Sequence, residues 1–107
     1  MKLMTKAIEK LAQKQYPLGS NLKNQKVVAK FFDPCGPFTW YLMNQDPNDT
    51  NYLWGIVNGY GIEMGSFSLN ELISVKNKFG LGIERDKYFK PMMAIDVWNT
   101  LNSGRHI

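Results

Sequence analysis

The sequence predicts an α+β domain: an antiparallel meander of about four strands, with an N-terminal helix, a capped middle helix and a C-terminal helix. Three observations predict it. Apolar residues recur at helical spacing near both ends of the chain and again around residues 69–73. Between residues 26 and 65 the apolar runs are short, β-branched and aromatic, and Pro, Gly and Asn separate them. Within that stretch Asn58-Gly59 joins two such runs, the strongest short-range hairpin signal in the chain.

In order, Thr5 is the cap of a first helix whose buried stripe is Ile8, Leu11 and Ala12. Pro17 disfavours helical geometry in the residue before it, so the helix is expected to end near Tyr16. KVVAKFF (26–32) reads as one strand, DPCGP as a turn and FTWYLM (38–43) as a second strand. NQDPNDTN reads as a polar loop without the ordered spacing of a calcium site. YLWGIV (52–57) and YGIEMG (60–65) follow as a hairpin about Asn58-Gly59.

A two-residue type I′ turn there sets a register. Val57 faces Tyr60, Gly55 faces Ile62 and Leu53 faces Met64 on a core side. On the other side Ile56, Trp54 and Tyr52 face Gly61, Glu63 and Gly65. Those rings either shield the backbone of the glycines or form an open aromatic floor.

Ser68 and Glu71 have the spacing of a capping box, and Phe67 and Leu72 that of a hydrophobic staple, for a helix running to a Gly80 cap. After Pro91, MMAIDVWNTL is expected to form a closing helix on Met92, Ile95 and Trp98, with Ala94, Val97 and Leu101 adjoining and Gly104 as its stop.

At 107 residues, 44% hydrophobic and 13% aromatic, the chain is expected to be a single domain over 1–107 with its own core. No apolar run approaches the ~18 residues of a membrane helix, and the N-terminus lacks the apolar stretch of a signal peptide. A cytoplasmic, membrane-free protein is the expectation. One cysteine, Cys35, and one histidine, His106, supply neither a disulfide nor a zinc cluster, and they are too sparse for Cys–His or Ser–His–Asp catalysis. No cofactor is expected, since GYGIEMG lies on a hairpin strand and does not open a helix.

Charge is sorted along the chain. Residues 1–30 hold seven lysines against Glu9; residues 31–75 hold five acids and no Lys or Arg; the remainder is basic again. Lys6, Lys10 and Lys14, following Lys2, form a slanting ridge on the first helix, extended by Lys23, Lys26 and Lys30.

GIERDKYFKP (82–91) is the most chemically crowded stretch. At strand spacing Glu84 and Asp86 point one way and Arg85 the other. The two acids could form a carboxylate site. The structural alternative is an Asx-turn at Asp86 and a forked salt bridge from Arg85, Asp33 being one acid it could reach. IERDKYFKP, the opening MKLMTK, VVAKFFDPCGPFTWY and EMGSFSLNEL together resemble a small bacterial family known only as a domain of unknown function and common on plasmids and integrative elements. The resemblance covers about residues 1–91. It implies an α+β fold and a mobile-element setting, with no assigned activity.

Three functions remain open. In the leading one the protein is a non-enzymatic accessory module that binds a protein partner through Tyr52, Trp54, Ile56, Trp40 and Arg85, the residue types that anchor interfaces. A second uses Lys6, Lys10, Lys14, Lys26 and Lys30 to follow a nucleic-acid backbone. A third, a metal-dependent enzyme, gathers Asp33, Glu63, Glu84 and Asp86. A homodimer is possible, and an exposed apolar patch at Met92 and Met93 would suggest its seam.

Overall fold

The computed structural model describes residues 2–76 and 79–107. Helix α1, Lys6–Lys14, is followed by a 3₁₀ turn at Tyr16–Leu18. Then come strands β1 (Lys26–Val27), β2 (Ala29–Phe32), β3 (Thr39–Asp46), β4 (Asp49–Asn58) and β5 (Ile62–Ser68). Helix α2 (Leu69–Ser74), strands β6 (Glu84–Arg85) and β7 (Met92–Met93) and helix α3 (Ala94–Asn102) complete the chain. The main sheet is antiparallel in the order β5-β4-β3-β2-β6, so β2 to β5 form the expected meander and β6 is added at its edge. A separate ribbon pairs β1 with β7.

The punctuation residues act as read. Thr5 Oγ1 accepts from Ile8 N at 3.2 Å, and the helix gives way to a 3₁₀ turn that carries Pro17. Ser68 Oγ accepts from Glu71 N at 3.2 Å, and the staple residues Phe67 and Leu72 both enter one core cluster. At the end of α3, Gly104 sits at φ +84° while its N–H and that of Arg105 bond back to Leu101 and Thr100. This is the double bond pattern that a left-handed residue permits after a helix.

Other expectations are corrected. The 26–32 run is not one strand: it breaks at Val28, and Val27 and Val28 enter different clusters. The polar segment is not a loop. β3 runs on through Asn44 and Gln45 to Asp46, and β4 starts again at Asp49 after a two-residue turn. α2 stops at Ser74, because Val75 is extended and Lys76 bridges to Gly82. The expected course through 77–78 lies outside the described residues. Met92 and Met93 form strand β7 before α3, which buries Ala94, Val97 and Leu101. Leu11, placed on the buried stripe, is 46% exposed, while Leu3 and Met4 are buried ahead of α1.

The sheet buries both faces. On one lie Phe31, Leu42, Leu53, Ala12 and Leu72. On the other lie Tyr41, Met43, Ile56, Val97 and Leu101. Each large apolar side chain so buried contributes ~1.5–3 kcal/mol.

The aromatic cleft and the GIERDKYFKP edge

The hairpin register departs from the type I′ expectation. Asn58 pairs with Ile62, Ile56 with Met64, Trp54 with Ser66 and Tyr52 with Ser68. The loop is therefore Gly59-Tyr60-Gly61, and neither Asn58 nor Gly59 has a positive φ. The partner strand is displaced by three residues, and an odd displacement exchanges its two faces. Ile62 and Met64, not the glycines, lie beside Ile56. A tertiary contact overrides the local propensity. A Cβ on Gly59 would overlap the Phe38 ring, and Tyr60 packs edge-on against that ring at 5.3 Å.

The five residues read as one binding surface are consequently dispersed. Ile56 is fully buried in the α3-side core. Trp40 packs on the opposite face, stacked on Phe38 at 5.8 Å. Arg85 Nη1 donates to the carbonyls of Lys2 and Leu3 at 2.7 and 3.0 Å, stitching the sheet edge to the N-terminal segment. Only Tyr52 and Trp54 stay together.

They line an open cleft of about 480 Å³ with Tyr16, Pro17, Gly19, Ser20 and Asn44. Its construction starts from a row of amides. Gln15 Nε2 donates to Lys26 O and Met43 O, and Gln13 Nε2 to Gln45 Oε1. Gln25 Nε2 donates to Gly19 O and Asn21 O; Asn44 Nδ2 donates to Gly19 O and Gln25 Oε1. Gln25, Asn44 and Gln45 are at most 1% exposed, and buried polar groups are tolerated only when bonded in this way. Gly19 turns at φ +53°, ψ −121°, a conformation that favours glycine. The row clamps the Tyr16–Ser20 segment to β3, opposite Trp54.

Tyr16 and Tyr52 are 37% and 39% exposed in this cleft, and Trp54 is half-buried. Tyr16 OH donates to Asp46 Oδ2 at 3.2 Å. The charge of Asp46 first, then desolvation, that hydrogen bond and the charges of Tyr52 and Asp49 raise the Tyr16 hydroxyl above its ordinary value. Trp54 Nε1 is buried with no acceptor among the described residues, an arrangement that costs on the order of 1–3 kcal/mol. The residues missed in the sequence, Tyr16, Ser20 and Asn44, carried no local signal of a shared site.

At the other edge, Glu84 and Asp86 do share a hollow, of about 380 Å³, with Lys30, Phe32 and Tyr88. Asp86 is committed there. Its Oδ1 accepts from Tyr88 N at 2.9 Å, the expected Asx-turn, and Lys30 Nζ lies 3.7 Å from its Oδ2. Asp33 is likewise used locally, accepting from Cys35 N in the turn that holds the exposed cysteine. The four-acid set does not assemble. Glu63 and Glu84 lie on opposite edges of the sheet, four strand spacings or ~19 Å apart. Among the described residues no three of His, Cys, Asp and Glu are grouped to hold a metal.

Lys6, Lys10, Lys14 and Lys26 are exposed. Lys30 leaves the ridge for Asp86 and for the Ile107 main-chain oxygen at 2.7 Å. Met92 and Met93 are half-buried in the β1–β7 ribbon. No helix among the described residues is long and apolar enough to cross a membrane.

The fold is thus an α+β domain with a sheet covered on both faces and an aromatic cleft at one end. A family model described as protein of unknown function (DUF2958) matches residues 2–105, and the chain belongs to that family. No curated protein and no solved structure matches it.

Proposed function

We propose that this is a non-enzymatic accessory protein that docks a protein partner in the Tyr16–Tyr52–Trp54 cleft. The observation that carries the reading is the convergence of three aromatic side chains, two of them more than a third exposed, in one open cleft at the sheet. Aromatic side chains in a partly enclosed site are the usual energetic anchors of an interface, because they bury much area at little entropic cost. The amide row supports the cleft from beneath, so its shape does not depend on a partner being present. The mobile-element setting implied by the resemblance, and a cytoplasmic location, belong to the same proposal and place the partner among element or host proteins. Nucleic-acid binding is the weaker reading. It has the exposed lysines of α1 in its favour but lacks Lys30, which is already ion-paired.

The test is photo-cross-linking in the native host from a benzoyl-phenylalanine at position 52, with position 60 as the control. Tyr60 is 97% exposed but lies outside the cleft. A discrete protein adduct from position 52, absent from 60 and lost when exposed Ser20 is replaced by Trp to fill the cleft, is the expected outcome. Equal adducts from both positions, or adducts indifferent to Ser20→Trp, would overturn the reading.

A further inference from the structure

We propose that the group received by this cleft is a cationic side chain, an arginine or lysine on a segment of a basic partner protein; this rests on the cleft being the docking site. Two observations converge on a cation. Three of the seven lining residues, Tyr16, Tyr52 and Trp54, are aromatic, and aromatic rings attract ammonium and guanidinium groups through the negative face of their quadrupole. The Asp46-to-Asp49 turn stands beside them, with Asp46 bonded directly to the Tyr16 hydroxyl at 3.2 Å. The same two carboxylates, Asp46 first and Asp49 in part, contribute to the raised pKa of that hydroxyl.

Strands β3, β4 and β5 carry no compensating cation, and the exposed Lys14 and Lys26 flank the Tyr16 segment without lining the cleft. Residues 31–75, which include β3, β4 and β5, contain no Lys or Arg. None of the residues lining the cleft is cationic. Both carboxylates also brace the turn. Asp46 Oδ1 accepts from Asn48 N and Asp49 Oδ1 from Asn51 N, main-chain bonds that leave each ion without a paired cation among the described residues. A neutral apolar anchor would use the rings but gain nothing from this charge; a phosphate or carboxylate would be repelled by it. An arginine uses both, stacking on a ring while its outer N–H groups reach a carboxylate.

The probe is arginine methylamide titrated into the ¹⁵N-labelled protein, with citrulline methylamide as the neutral isostere. Saturable shifts at the Trp54 indole and at the amides of Tyr16, Asn44 and Tyr52 are expected, with citrulline binding about tenfold weaker or more. Asp46→Asn with Asp49→Asn keeps the side-chain oxygens that brace the turn. It is expected to weaken arginine by about tenfold and to leave citrulline unchanged. Equal binding of the two probes, or shifts spread over every acidic site on the surface, overturns the cationic occupant even where the position-52 adduct forms. Arginine binding without that adduct overturns the partner-docking reading instead. If the same signals move when the protein alone is concentrated, and Lys10→Gln abolishes the movement, a second copy supplies the cation and the separate partner is overturned.

Discussion

At the scale of single residues, Tyr41 shows how an ionisable group on the buried side of the sheet couples folding to pH. The residue is 2% exposed, its ring packs edge-on to Phe89 at 6.3 Å, and its hydroxyl donates to the Ile107 main-chain oxygen at 3.3 Å. Burial, and secondarily the charge of Asp86, pushes its pKa up to about 12 from an ordinary 10.0. Folded Tyr41 therefore stays neutral where the unfolded chain's tyrosine ionises. Its contribution is fully present below pH 10 and is lost as pH rises from 10 through about 12. A rise of that size corresponds to roughly 3 kcal/mol. Tyr41→Phe keeps the ring and forfeits one half-buried hydrogen bond, at about 1 kcal/mol or less near neutral pH. Chemical denaturation of the two proteins at intervals from pH 8 to 12 checks this. The difference in stability should shrink and then reverse above pH 10, and parallel curves would show that Tyr41 ionises freely in the folded state.

At the scale of elements, the glycine pair in the β4–β5 hairpin separates steric need from chance. Gly55 faces Gly65 across the ladder. A Cβ on Gly55 would collide with the main-chain oxygen of Tyr41, just before the irregularity at Leu42 to Asn44. A Cβ on Gly65 would meet nothing within 4 Å. Gly55→Ala must therefore move a central strand, and a loss of ~3 kcal/mol or more is expected. Gly65→Ala is expected to be neutral or stabilising by up to ~1 kcal/mol, through the entropy it removes from the unfolded chain. Urea midpoints of the two variants check the contrast; similar values would mean that the close approach in β4 relaxes without cost. Elements set by such local rules were legible in the sequence: Thr5 and Ser68 as caps, Pro17 and Gly104 as stops, and the β2-to-β5 meander. The turn at Asn58-Gly59 was misread because its favoured local geometry loses to the Phe38–Tyr60 contact, which adjacent residues do not reveal. Asn44 and Gln45 were misread as loop because polar side chains give no strand signal when their partners, Gln25 and Gln13, lie 19 and 32 positions away. The cleft was half legible for the same reason: Tyr52 and Trp54 stand on one strand, but Tyr16 reaches them through that amide row and its bond to Asp46, 30 positions away.

At the scale of the whole molecule, the two cores share their strands. β3 sends Leu42 to one side and Tyr41 and Met43 to the other, and β4 divides Leu53 from Ile56 in the same way. Neither core can come apart while the strands that build it remain folded in the other, so the domain is expected to unfold in a single cooperative step. Two native tryptophans report the two sides: Trp40 packs on the α1 side and Trp98 on the α3 side. In a Trp54→Phe background, which also removes the buried unpartnered donor, replacing either Trp98 or Trp40 by Phe leaves one reporter. Within each variant the fluorescence and far-ultraviolet circular dichroism curves in urea should coincide. A Trp98 signal lost at lower urea than the circular dichroism would mean that α3 lifts from the sheet as a unit. That result would reach the function as well. It would make the apolar surface of Tyr41, Met43 and Ile56 available to a partner, so that docking need not use the cleft at all. Coincident curves keep that surface sealed, so that a partner would meet the Tyr16–Tyr52–Trp54 cleft and not the sheet interior.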